Sequence, residues 1–241
     1  MTMASGAIKT IDRRQWATYS RHMVSILWGF TEHDFVTFAI PSTIFGLLGA
    51  TNSHFVEGGV TPPLATILSN IPLVLTFNWC NLLVFDMANQ RPAISVLLLI
   101  GYGLFNYGSF RLVLGDEAEI NSTGLSWITL ISAVVMTTIQ IQDLKDTAGD
   151  RVRGRKTVVL TLGEGVSRAS IALFDCLWSY VCAWPWYLPK TASAALAGLS
   201  GLLATRVLSK RRVEDDRRTW RLCCLSHCCL YLLPVVRFSE P

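Results

Sequence analysis

Three aspartates, Asp143, Asp146 and Asp150, close an apolar run and are followed at once by Arg151, Arg153, Arg155 and Lys156. On a helix these three positions project within about 60° of one another, because i and i+7 return nearly into register. Three carboxylates on one helical face repel each other at neutral pH, and desolvation adds to the cost. A divalent cation relieves the conflict. Mg2+ prefers such hard oxygen ligands and keeps waters and substrate phosphates in its shell. The bases just beyond the acids complete a site for a polyanion held with a metal, namely a diphosphate. The plainer alternative is a solvated loop whose acids pair with the arginines that follow.

A second polar cluster ends another apolar run. The stretch NWCNLLVFDMANQR carries Asn78, Asn81, Asp86, Asn89, Gln90 and Arg91. Asn89 and Gln90 lie three and four residues beyond Asp86, so all three share one helical face. Gln90 and Arg91 suit a helix end entering water. Asn78 and Asn81 sit deeper, among Trp79, Leu82 and Leu83. Two acid-bearing helix ends in one chain are expected to converge.

The elements that must position these residues are apolar. Of 241 residues, 51% are hydrophobic and 16% charged, and mean hydropathy is +0.40. A soluble domain carries about 25% charged residues. Apolar runs at 34–56, 64–90, 93–115, 125–142, 169–189, 192–208 and 220–236 each approach the ~20 residues needed to cross a bilayer. The expected fold is therefore all-α, a polytopic transmembrane helical bundle of about seven spans. Residues 1–22 form a cytoplasmic tail and 23–241 a single domain, with Trp and Tyr gathered at the end of the fifth run as a membrane-interface belt.

The net charge of +4 is small, and the bases fall in short segments between apolar runs. That pattern suits cytoplasmic loops and argues against nucleic acid as a partner. Lys9, Arg13, Arg14 and the strip from Arg151 to Lys156 would then face the cytoplasm. Most of the seven cysteines lie in apolar runs. Cys223, Cys224, Cys228 and Cys229 form adjacent pairs in a hydrophobic helix, which points to packing rather than zinc.

The stretch QDLKDTAGDRVRGRKTVVLTLGEG resembles the second aspartate motif of the UbiA superfamily of intramembrane prenyltransferases, D-x-x-D-x-x-x-D followed by a basic residue, a Gly and a Lys-Thr step. Asp143, Asp146, Asp150, Arg151, Gly154, Lys156 and Thr157 fit that pattern. NLLVFDMANQR resembles the first motif, with Gln90 where a second Asp usually stands and one extra residue between Asn81 and Asp86. That variant is similar to a fungal branch that includes membrane-bound terpene cyclases, as is TEHDFVTFAIPSTIFGLLGA. After NQRP the chain runs straight into an apolar helix, where the family has a polar loop and further helices. The resemblance covers the chain from about residue 25 onward.

The resemblance implies a bundle with a central cavity open to lipid and the two motifs at its cytoplasmic mouth. Asp86, Asp143, Asp146 and Asp150 would hold Mg2+ bridging a prenyl diphosphate such as farnesyl diphosphate. Asp86, Asp143 and Asp146 are the catalytic candidates. Asn81, Asn89, Gln90, Arg91, Arg151 and Lys156 would bind the substrate. Phe105, Tyr107, Trp127 and Trp178 are candidates to face the allylic cation, against the plainer role of core or lipid contact. An aromatic acceptor that traps the cation makes a prenyltransferase; an internal double bond makes a sesquiterpene cyclase of secondary metabolism. The rivals are a shortened, non-catalytic membrane relative and a small transporter. The expected location is a multi-pass position in the endoplasmic reticulum membrane.

Overall fold

A computed structural model of the chain describes residues 21–26, 28, 35–88, 95–116 and 118–236, with the side chains of 36, 37 and 83–100 outside that description. The architecture is all-α among these residues, with one isolated antiparallel bridge between Val56 and Ile120. A π-helical turn, Phe35–Ala39, leads into α1 (Ile40–Ala50). α2 (Leu64–Ser69) and α3 (Ile71–Ala88) are separated at Asn70. α4 (Ser95–Leu114) and α5 (Ser122–Thr138) follow. After these come α6 (Ile141–Val152), α7 (Val158–Leu162), α8 (Glu164–Ala183), α9 (Lys190–Ser209) and α10 (Val213–Val236).

Small residues set the first half of the bundle. A Cβ on Gly46 would stand 2.6 Å from the Ser109 carbonyl carbon, and one on Gly49 would stand 2.9 Å from the Phe110 ring. α1 and α4 therefore pack nearly backbone to backbone. Buried Asn78 of α3 ties the pair together, donating to Thr43 Oγ1 at 3.0 Å and to Ser109 Oγ at 2.8 Å. Below them Phe55, Phe110, Trp127 and Trp186 form an aromatic core. Pro41, expected inside a span, stands in the first turn of α1, where its missing N–H costs nothing.

The second half is held by a charged clamp. Arg168 of α8 is 3% exposed and forms a bidentate pair with Asp216 of α10 at 2.8 and 2.7 Å. Its Nη1 also donates to the Val207 and Lys210 carbonyls at the end of α9, and its Nε donates to Glu164. One guanidinium thus satisfies groups from three helices, which is what permits it to be buried.

The seven expected spans are not seven unbroken membrane-length helices. Among the described residues α9 alone is long and apolar enough to cross a bilayer, or two spans if α5 and α6, bent by 42°, count as one. The physical reason is that folding cuts the apolar runs. The run 34–56 divides into a π turn, an 11-residue helix and short 3-10 turns. The run 64–90 breaks at Asn70, and 220–236 is the apolar end of a helix whose first turn carries Glu214, Asp215 and Asp216. At the α5–α6 break, Thr137 and Thr138 donate to the carbonyls of Ala133 and Val134, a back-bonding that bends helices.

Candidate active site

α6 carries all three aspartates of the charged stretch, so the single helix expected for them is present. Its apolar side, Ile141 and Leu144, is buried with Val159, Ile171, Leu203, Val207 and Cys223. The three acids nonetheless meet different surroundings. Asp143 is half-buried; Asp146 is 57% exposed and paired with Lys145; Asp150 is 2% exposed.

Asp150 owes its burial to the way the helix ends. Gly154 adopts φ +67°, the left-handed conformation that glycine accepts at a helix C-terminus. Gly154 N–H donates to the Arg151 carbonyl at 3.2 Å, and Arg155 N–H donates to the Asp150 carbonyl at 3.0 Å. These two bonds are those of a Schellman motif. They fold the basic strip back over the last turn, so that Arg155 Nη1 donates to Asp150 Oδ1 at 3.2 Å. Thr157 then caps α7 by accepting from Leu160 N–H. Gly154 and Thr157 of the motif are therefore geometric residues. Arg151 and Lys156 stay exposed and make no ion pair among the described residues.

Burial, and after it the charge of Asp150, push the Asp143 carboxyl up from 3.8 to about 7. Arg155 pulls the other way, Asp146 adds to the rise and Lys145 opposes it. Among the described residues no group of three or more His, Cys, Asp or Glu converges to hold a metal ion; of the four carboxylates expected to do so, the side chain of Asp86 lies outside those residues. Asp150 is turned under the helix end to Arg155, and Asp146 points to Lys145. The donors are nevertheless of the hard-oxygen kind that holds Mg2+ through one or two carboxylates together with substrate phosphates.

Of the first motif, Asp86 lies near the end of α3, and Asn89, Gln90 and Arg91 lie outside the described residues. Asn81 folds back on its own helix, its amide donating to the Phe77 carbonyl at 2.7 Å.

A narrow cavity ends beside α6. Phe38, Tyr102, Trp220 and Tyr231 give it aromatic walls, with Phe38 and Tyr102 edge to face at 5.2 Å. Ser42, Thr138, Gln142 and His227 are polar groups on its lining. Gln142 immediately precedes Asp143, so the acids begin where the cavity wall ends. Its volume is about 40 Å³, room for only a few waters. Lys145 stands 5.0 Å over the Trp220 ring and so links the acidic helix to the cavity wall.

The aromatic candidates read from the sequence lie elsewhere. Trp127 is 5% exposed in the core between Phe55 and Trp186, and Phe105 packs on Tyr102. Trp178 donates to Thr137 at 2.7 Å, and Tyr107 is 41% exposed. None of the four lines this cavity, although Trp127 lines a second and wider one with His54 and Trp186. Sequence reasoning missed Phe38, Tyr102, Trp220, Tyr231 and His227. Only His227 carried a signal, as an ionisable residue inside the apolar run 220–236.

No protein-family profile matches the chain, and no solved structure matches it. Curated relatives do. The chain is 34% identical over 113 residues to a somaliensene A/B synthase of Streptomyces somaliensis, covering 44% of the chain and 38% of that protein. It is 25% identical over 223 residues to a fumagillin beta-trans-bergamotene synthase of Aspergillus fumigatus, covering 83% of the chain and 76% of that protein. A diterpene cyclase of Hericium erinaceus is 31% identical over 106 residues, covering 43% of the chain and 34% of the relative. The chain is thus related to terpene synthases and cyclases, and matches only about a third of the length of two of them.

Proposed function

We propose that this relative of terpene synthases is a membrane-embedded, Mg2+-dependent terpene cyclase of secondary metabolism. Its substrate is a prenyl diphosphate such as farnesyl diphosphate, and its architecture is UbiA-like. The observation that carries the reading is the position of the α6 acids and the exposed Arg151 and Lys156 beside an aromatic-walled cavity. Polar groups for a diphosphate and apolar walls for a hydrocarbon chain lie on consecutive residues of one helix. The similarity to a bergamotene synthase over 83% of the chain favours cyclisation over transfer to an aromatic acceptor.

In this reading Asp143, Asp146, Asp150 and Asp86 are the candidates to hold Mg2+, which when bound would supply charge neutralisation to the departing diphosphate. Arg151 and Lys156 bind the diphosphate oxygens from the exposed side of the helix end, and Asn89, Gln90 and Arg91 are the candidates from the first motif. The faces of Phe38, Tyr102, Trp220 and Tyr231 stabilise the allylic cation, each such contact being worth about 0.5–2 kcal/mol. The cavity is smaller than a prenyl chain, so α1, α4, α5 and α10 must part when substrate enters.

Membrane insertion is part of the proposal, in the endoplasmic reticulum. It is supported by α9 and by exposed Tyr180, Trp184 and Tyr187 at the end of α8, where an interfacial belt would sit. A second reading, a shortened non-catalytic relative, draws on the limited coverage of two relatives and on the separate surroundings of Asp146 and Asp150.

Microsomes bearing the protein, given farnesyl diphosphate and Mg2+ without acceptor, are expected to yield a hydrocarbon. Product that appears only with an aromatic acceptor would replace cyclase by prenyltransferase. Asp146→Ala is expected to abolish turnover, and full activity in that variant would remove the metal role of this helix.

A further inference from the structure

His227 is a titratable group among aromatic cavity walls, and neither the diphosphate site nor the core packing uses it. It sits on α10 and lines the cavity opposite Thr138 of α5, whose Oγ1 lies 3.1 Å from its Nε2. Thr138 has one hydroxyl hydrogen, and that hydrogen is donated to the Val134 carbonyl at 2.7 Å. With that hydrogen on Val134, the Thr138 oxygen can accept from His227 Nε2. We assign His227 this tautomer, with the hydrogen on Nε2 and the lone pair on Nδ1. Nδ1 has no hydrogen-bond partner among the described residues. Cys223 Sγ also lies 3.6 Å from Nε2.

We propose that His227 is the base that ends cyclisation, a role that rests on the cyclase reading above. Once the diphosphate has left and the chain has closed, the carbocation has a C–H bond on the carbon beside the charge. The pair of electrons in that bond becomes the new C=C bond, and the proton goes to Nδ1. His227 is then an imidazolium ion, held by Nε2–H donating to Thr138 in a cavity that Tyr102 and Tyr231 also line. The proton leaves with the diphosphate, so the products are a neutral hydrocarbon and hydrogen diphosphate, and His227 returns to its starting form. The position of His227 on the cavity wall selects which C–H bond is broken, and so which alkene isomer forms.

The test compares wild type with His227→Asn and His227→Ala in microsomes, using geranyl, farnesyl and geranylgeranyl diphosphates with Mg2+. His227→Asn keeps an amide N–H for Thr138 and has no basic nitrogen. Both variants are expected to form the wild-type hydrocarbon about 100-fold more slowly, the scale of a lost general base. Release of diphosphate should fall far less, with the difference appearing as terpene alcohols or other alkene isomers. Added imidazole should restore the wild-type product in His227→Ala, which has space for it. Unchanged product in His227→Asn overturns the proposal, because the Thr138 bond alone would then explain the residue. Absence of imidazole rescue alongside a normal product ratio also overturns it. Absence of hydrocarbon from wild type with all three substrates instead overturns the cyclase reading, and the base role with it.

Discussion

Asp143 links protonation to folding and, in the proposed function, to metal binding. Its carboxyl is raised from 3.8 to about 7, chiefly by burial, so the folded chain holds this proton more tightly than the unfolded one. Below 3.8 both states are protonated and the residue contributes nothing. Between 3.8 and about 7 the fold loses stability as pH rises, and above about 7 the full penalty applies. Asp143→Asn is therefore expected to raise Tm at pH 8 and to leave it unchanged at pH 4, as measured by thermal melts in detergent. An equal change at both pH values would show that burial of the charge is not what Asp143 resists. A metal held by Asp143 as proposed would displace the same proton. The Mg2+ concentration for half-maximal turnover is therefore expected to rise about tenfold from pH 8 to pH 6.

At the scale of elements, the turn after α6 and the contact between α1 and α4 both depend on glycine. Gly154 at φ +67° has open space around its Cα, so Gly154→Ala meets only the left-handed backbone cost, about 1–2 kcal/mol. The same variant should loosen the Asp150–Arg155 pair. Gly46 is the opposite case, since an added Cβ would stand 2.6 Å from backbone of Ser109. Gly46→Val must push α1 from α4 and is expected to cost about 1–3 kcal/mol. Unchanged melting of Gly46→Val in detergent would refute that close approach. The α6 helix was legible in its sequence because three acids and the apolar pair Ile141 and Leu144 obey one period. The helix breaks were not legible. Asn70 and the Thr137–Thr138 pair stand in apolar runs where nothing local distinguishes a continuous span from two shorter helices.

At the scale of the whole molecule, the Arg168 clamp holds α8, α9 and α10 together, with Arg168 and Asp216 only 3% and 4% exposed. Removing one partner strands the other charge, so Arg168→Ala is expected to cost about 3–5 kcal/mol in thermal melts. A loss under 1 kcal/mol would mean that water reaches Asp216. By itself the sequence determined that the chain is helical and that its acids share one face, and from those acids came the proposal of a polyanion held with a metal. These follow from composition and from short-range spacing, which the helix period converts directly into geometry. Only the tertiary structure decided what each of those residues meets. It turned Asp150 under the helix end onto Arg155 and left Asp146 exposed beside Lys145. It placed Trp127 in the aromatic core away from α6, and it aligned His227 with Thr138 across 89 residues. Such contacts join residues far apart in the chain, and they are fixed by which helix faces pack together rather than by any local period.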